Sequence, residues 1–312
     1  MTKLFVKVKC LIIFLMVLLN ACASTQIKIP KETKRIVFIG DSITYAGHYV
    51  AYVEAYLKVA HPENEYEIIN IGLPSETVSG LSEVGHAGGA FPRPDAEERL
   101  QRSLDELKPE LVFSCYGIND GIYLPFDENR FKAYQQGVTN LHNTVTAEGT
   151  ELIHLTPPDY DGDTSQNYSA VLDQYSVWLQ TQSVKQNWQV IDIHFPMQNK
   201  LQLERKVNPE FYYAKDGVHP NIEGHWQIAK ALLQGLGEPV LDTFEQSIGA
   251  LNPKIDAQQL YTLIKRRQSL LSDAYLTQIG HKRPRMKVGL PLPQALAAAQ
   301  AIDNDIAKLF VE

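Results

Sequence analysis

The stretch Arg35 to Thr44 constrains this chain more than any other. It is an apolar, β-branched run, Ile36 to Ile39, that ends in Gly40-Asp41-Ser42. An unbroken run of this kind suits a strand buried on both faces of a parallel sheet. Gly40 permits a sharp turn, and Tyr45 to Ala60 reads as the helix that follows. Ser42 therefore falls between the carboxyl end of a strand and the amino end of a helix. Open parallel sheets bind ligands at that edge, and a helix amino terminus offers free N–H groups and partial positive charge. A serine placed there can be a nucleophile whose oxyanion meets ready donors. It can equally be a helix cap, and the tripeptide alone does not separate the two.

The chain beyond repeats the rhythm. Strands are expected at Tyr66 to Ile71, Leu111 to Tyr116, Glu151 to Leu155 and Trp188 to Ile193. Helices are expected at Asp95 to Leu107, Asp127 to Glu148, Tyr168 to Gln186 and Ile222 to Leu236. Five strands alternating with helices predict a parallel sheet covered on both faces, a three-layer α/β/α sandwich. Residues 240–312 break the rhythm; Asp256 to Leu276 and Pro293 to Phe310 read as two helices of a helical appendage. Gly80 to Pro94, rich in glycine and proline, is too long for a simple turn and reads as a functional loop at the active edge. Asp159 to Asn167 lacks the spacing of a calcium loop and reads as a solvated loop.

A nucleophilic serine needs a base, and the base needs an orienting group. His219 stands out in Asp216-Gly217-Val218-His219. Across that short turn the Asp216 carboxylate can reach one ring nitrogen, which leaves the other for Ser42. An ordinary loop histidine also fits that motif taken alone. The oxyanion needs donors, and three follow three different strands: the N–H groups of Ser42 and Gly72 and the side-chain amide of Asn119. His225 reads as a packed helix residue. His86 reads as a loop residue, with substrate contact the lesser alternative. The basic stretch Gly280 to Lys287 reads as a solvated interhelical loop, with an anionic sugar as the lesser alternative.

Ser42 in Gly-Asp-Ser-Ile, Gly72 in Asn-Ile-Gly, Asn119 in Gly-Ile-Asn-Asp and His219 in Asp-Gly-Val-His stand in order. Together they resemble the four marker residues of the SGNH hydrolases, also called the GDSL esterases and lipases. The resemblance covers residues 35 to about 236. It implies a flavodoxin-like fold, a Ser42–His219–Asp216 triad, and an oxyanion hole of Ser42, Gly72 and Asn119. It also implies that neither a metal nor an organic cofactor is used. Asp41, His86 and Asp120 are candidate substrate contacts. Ser75 departs from the family pattern, where many members carry a second glycine.

The amino terminus reads as an export signal rather than as fold. Lys3, Lys7 and Lys9 precede an apolar Leu11 to Leu19, and Leu19-Asn20-Ala21-Cys22 resembles a bacterial lipoprotein box. Residues 1–21 would be removed, Cys22 would carry lipid, and residues 22–34 would form a tether before a hydrolase domain at 35–239. An ordinary cleaved signal and an uncleaved anchor are the alternatives. The resemblance implies an outer-membrane address in the cell envelope. The net charge of −7 loses three lysines with the signal and becomes −10, which argues against nucleic acid as a partner. Of three cysteines, only Cys115 stays in the folded part, so no intrachain disulfide is expected. The expected activity is hydrolysis of carboxylic esters, with O-acetyl groups on carbohydrates first. A lipase, lysophospholipase or thioesterase is the enzymatic alternative, and a non-catalytic glycan-binding lipoprotein is the alternative of another class.

Overall fold

A computed structural model describes residues 26–162 and 167–311. The signal at 1–21 and Cys22 lie outside the described residues. Five strands, β1 (Arg35–Gly40), β2 (Glu67–Asn70), β3 (Leu111–Cys115), β4 (Glu151–Leu155) and β5 (Gln189–Ile191), form one parallel sheet in the order β2-β1-β3-β4-β5. That is the flavodoxin-like order anticipated above. Its central strands are buried along nearly their whole length, which is why they read as continuous apolar runs rather than alternating ones. The carboxyl ends of β1, β2 and β3 therefore lie side by side.

The helices are α1 (Ser42–Ala46), α2 (His48–Ala60), α3 (Glu97–Leu107), α4 (Glu128–Ala147), α5 (Tyr168–Lys185), α6 (His194–Val207), α7 (Ile222–Gly235), α8 (Phe244–Leu251), α9 (Ala257–Ile279) and α10 (Leu292–Lys308). The helix expected at Tyr45 to Ala60 is split by Gly47, whose φ of 74° is left-handed. Besides a distorted single turn at His86–Gly89 within the expected loop, two helices were not anticipated. Helix α6 buries only His194, Met197 and Leu201, too thin a stripe to stand out, and Pro196 in its first turn looks like a breaker although that position tolerates proline. Helix α8 is short, yet Thr243 and Gln246 form a reciprocal capping box, a signal that was present in the sequence.

The last three helices pack closely on the rest of the fold. Every residue of α2 from Tyr49 to Leu57 is buried: helices α7 to α9 pack against it, and Tyr49 meets Phe38 of β1 edge-on at 5.9 Å. Tyr52 stacks on Tyr261 at 4.5 Å between ring centroids and packs against Trp226 and Phe244. Glu54, 4% exposed, is held by Arg267 and by Gln268 Nε2, and Arg267 also reaches Asp303. That chain of charges ties α2 to α9 and α10. The described part of the expected tether also packs, since Ile27 and Ile29 lie against the core and Thr33 is buried.

Ile264 in α9 is fully buried. Ile264→Ala should cost about 2–5 kcal/mol through lost transfer energy and a cavity. In urea, probes on the sheet and on the carboxyl-terminal helices should move together to a lower midpoint. Two separate transitions, with only the later helices affected, would show an independent appendage instead.

Candidate active site

Helix α1 begins directly after β1, and Asp41 caps it by accepting the Ile43 N–H at 2.9 Å. Ser42 therefore opens a helix on the sheet's carboxyl edge. Its Oγ lies 2.9 Å from His219 Nε2, and His219 Nδ1 lies 2.7 Å from Asp216 Oδ2. With a proton on Nδ1 directed at the carboxylate, Nε2 is the acceptor for the serine hydroxyl. The second Asp216 oxygen accepts the backbone N–H groups of His219 at 2.8 Å and Val218 at 3.0 Å. Burial acts to raise the Asp216 pKa, but these bonds outweigh it and hold it at about 2. Asp216 is thus an anion across the working range. The imidazole and this carboxylate are open to solvent, 54% and 58% exposed.

The turn that carries the pair is clamped from beneath. Gly217 has φ 84°, and a Cβ there would meet Gly162 Cα and the Tyr160 ring at 2.7 Å. Asp161 N–H donates to Gly217 O at 2.9 Å. The Asp161 carboxylate, 7% exposed, accepts the N–H groups of Tyr213 and Ala214 and the Arg205 guanidinium. The Asp159 to Asn167 segment is therefore no solvated loop where it is described; Asp159 and Asp161 are both buried. The aspartate spacing was visible in the sequence, but its partners lie more than forty residues away, beyond any local signal.

The expected oxyanion donors divide. Asn119 is buried, its Oδ1 accepts Tyr123 Oη–H at 2.6 Å, and its Nδ2 donates to Glu76 O at 3.0 Å. This fixes the amide orientation and leaves one N–H for a ligand. Gly72 is different. Its N–H donates to Asn70 Oδ1 at 2.9 Å, while Asn70 Nδ2 donates to Thr44 O. A Cβ on Gly72 would sit 2.3 Å from Tyr45 N, so the missing side chain lets β2 approach the turn that holds Ser42. Its expected place as a donor is corrected on this ground. Ser75 has φ 68°, a left-handed conformation that favours glycine, and among the described residues its N–H, like that of Ser42, meets no protein acceptor.

The candidate substrate contacts also divide. Asp41 and Asp120 are 2% and 0% exposed, so neither can meet substrate directly. His86 Nδ1 bonds Glu83 at 3.0 Å, and Glu83 in turn makes a two-pronged pair with Arg93. Arg93 lies over the Tyr123 ring, 5.4 Å from its centroid. His86 thus belongs to the wall around Asn119 rather than to the reacting group. His225 is buried in α7, as expected. Among the described residues, no three His, Cys, Asp or Glu side chains are grouped to hold a metal ion.

A family model described as the GDSL-like lipase/acylhydrolase family matches residues 38–227. The chain belongs to that family. It is a carboxylic ester hydrolase of GDSL type. Over 225 residues it is 25% identical to an acetylxylan esterase from Geobacillus stearothermophilus, covering 65% of this chain and 94% of that one. A crystal structure of that acetylxylan esterase superposes with a TM-score of 0.52 at 25% identity over 68% of this chain and 97% of that one. An α/β hydrolase from the metagenome of Lake Arreo, Spain, gives a TM-score of 0.53 at 25% identity over 67% and 97%. A gut microbial diltiazem-metabolizing enzyme shares the fold, with a TM-score of 0.54 at 20% identity over 68% and 48%.

Beside the GDSL serine sits a carboxyl that resists ionising. Burial foremost, opposed by the Ile43 N–H and reinforced by Asp120 and Glu76, pushes the Asp41 pKa up to about 7. In the unfolded chain it titrates near 3.8. Between those values the unfolded form releases a proton that the folded form keeps, so this group lowers stability as pH rises through that window. Asp41→Asn, which keeps a cap acceptor, should therefore gain in melting temperature over the parent, and the gain should be larger at pH 7.5 than at pH 4.5. An equal shift at both pH values would contradict the burial account.

Proposed function

We propose that this enzyme is a serine esterase that removes O-acetyl groups from carbohydrates. Ser42 Oγ attacks the ester carbonyl as His219 Nε2 takes its proton. Ionised Asp216 holds the ring tautomer and stabilises the imidazolium. The oxyanion is received by the N–H groups of Ser42 and Ser75 and by the free N–H of Asn119. Ser75 takes the place first assigned to Gly72, whose N–H is already bonded to Asn70. Collapse breaks the bond to the sugar oxygen, which takes the proton from His219. Water activated by the same ring then releases acetate and restores Ser42.

One observation carries this reading: a continuous Asp216–His219–Ser42 line in a chain matched along nearly the full length of an acetylxylan esterase. The loop Gly80 to Pro94 adds support, because its residues are mostly small and an acyl chain needs apolar cover worth about 0.8 kcal/mol per methylene.

Ser42→Ala should lose turnover on the order of 10³-fold or more with the fold intact, and His219→Ala should match it with little added loss in the double variant. Across nitrophenyl acetate, butyrate, octanoate and dodecanoate, kcat/KM should fall with chain length, and acetate should be released from acetylated oligosaccharide. A rate that climbs with chain length would instead favour a lipase.

We also propose that the enzyme is held in the cell envelope by lipid on Cys22, from the basic, apolar and small-residue order that precedes it. The parent should enter the detergent phase and take up labelled palmitate, whereas Cys22→Ser should do neither. Equal labelling of the two forms would end this reading.

A further inference from the structure

The loop between α9 and α10 reaches across to the catalytic edge. Arg283 Nε donates to Pro74 O at 2.7 Å, immediately before Ser75, and its Nη1 donates to Pro284 O at 3.1 Å. Its guanidinium lies over the Phe91 ring, 5.2 Å from the centroid, and Phe91 meets His86 edge-on at 5.5 Å. The rim beside the Gly72 to Ser75 turn is thus built partly from the carboxyl-terminal helices. An open recess of about 270 Å³ adjoins it, with Arg283, Arg285, Lys287 and His281 in its wall and no carboxylate among its lining residues.

The neighbouring cations have partners, and these two arginines do not. Lys287 is neutralised by Asp273 and Lys282 by Glu98. Among the described residues, Arg283 and Arg285 pair with no carboxylate, and Arg283 Nη2 meets no protein acceptor. A guanidinium braced on one edge by a backbone carbonyl and on its face by an aromatic ring is pre-oriented for a planar carboxylate. The chain is acidic overall, with net charge −7, so a densely charged polyanion would be repelled at longer range. A polymer with isolated carboxylates escapes that repulsion and still finds the local cations.

We propose that this recess binds the carboxylate of an acidic sugar residue close to the acetylated one, so that the natural substrate is an acetylated glycan bearing uronic acid. The substrate part of this inference rests on the deacetylase reading; the binding part does not.

Two arms test it. In the first, kcat/KM is measured on a neutral acetylated xylo-oligosaccharide and on the same backbone carrying a uronic acid branch. The parent should prefer the acidic substrate by about tenfold, the worth of one hydrogen bond to a charged group, chiefly through KM. In Arg283→Gln and Arg285→Gln the acidic-to-neutral ratio should fall towards one. In the second arm, calorimetry follows binding of the deacetylated acidic oligosaccharide to Ser42→Ala, which should weaken with added salt and vanish in the arginine variants. Absence of both preference and binding would overturn the proposal. So would equal loss on both substrates in Arg283→Gln with an unchanged acidic-to-neutral ratio in Arg285→Gln, which marks Arg283 as a support for the Pro74 turn and nothing more; Arg285, exposed and unbonded to that turn, keeps this outcome distinct. Binding of the acidic glycan without acetate release from any glycan would leave the recess standing and sink the deacetylase reading.

Discussion

The site depends on one close approach of two backbones. Gly72 leaves no room for a side chain against Tyr45 N, and Asn70 spans the same gap from Thr44 O to the Gly72 N–H. The end of β2 is thereby locked to the turn that carries Ser42. Everything set by the segment after Gly72, including the left-handed Ser75 and the Pro74 carbonyl that braces Arg283, inherits its position from this contact. A methyl group there would have to move backbone, which packed interiors resist.

Around that contact the polar groups are arranged in two temperaments. Asp216 is held ionised in the open by three donors, whereas Asp41 and Asp120 are buried and their pKa values are raised to about 7 and 6. As pH falls, the dry floor takes up its protons first, and the wet pair keeps the carboxylate charge that orients His219. Asp161 extends the logic to structure, because its carboxylate satisfies the backbone donors that would otherwise be orphaned beneath the Asp216 turn.

Much of this was legible in the chain. The apolar strands, their alternation with helices and the ordered Ser42, Asn119, Asp216 and His219 are local patterns, and local patterns survive in a linear reading. What escaped it depends on partners distant in sequence. Gly72 was given a donor role from its motif, and only the placement of Asn70 shows its N–H occupied. Asp161 was read as solvated because Tyr213, Ala214 and Arg205 are far along the chain. How closely the carboxyl-terminal helices pack was not drawn from α2's lack of a polar face, which demands cover on two sides. Ser75, noted as a departure, retains the backbone conformation that a glycine would take.

The exposure of His219 and Asp216 has a consequence for the fate of the acyl group. An acyl-serine formed at Ser42 would stand beside an imidazole with more than half its surface in solvent. Bulk water has direct access to the ring that would activate it. An imidazole so exposed therefore suits an esterase that surrenders its acyl group to water.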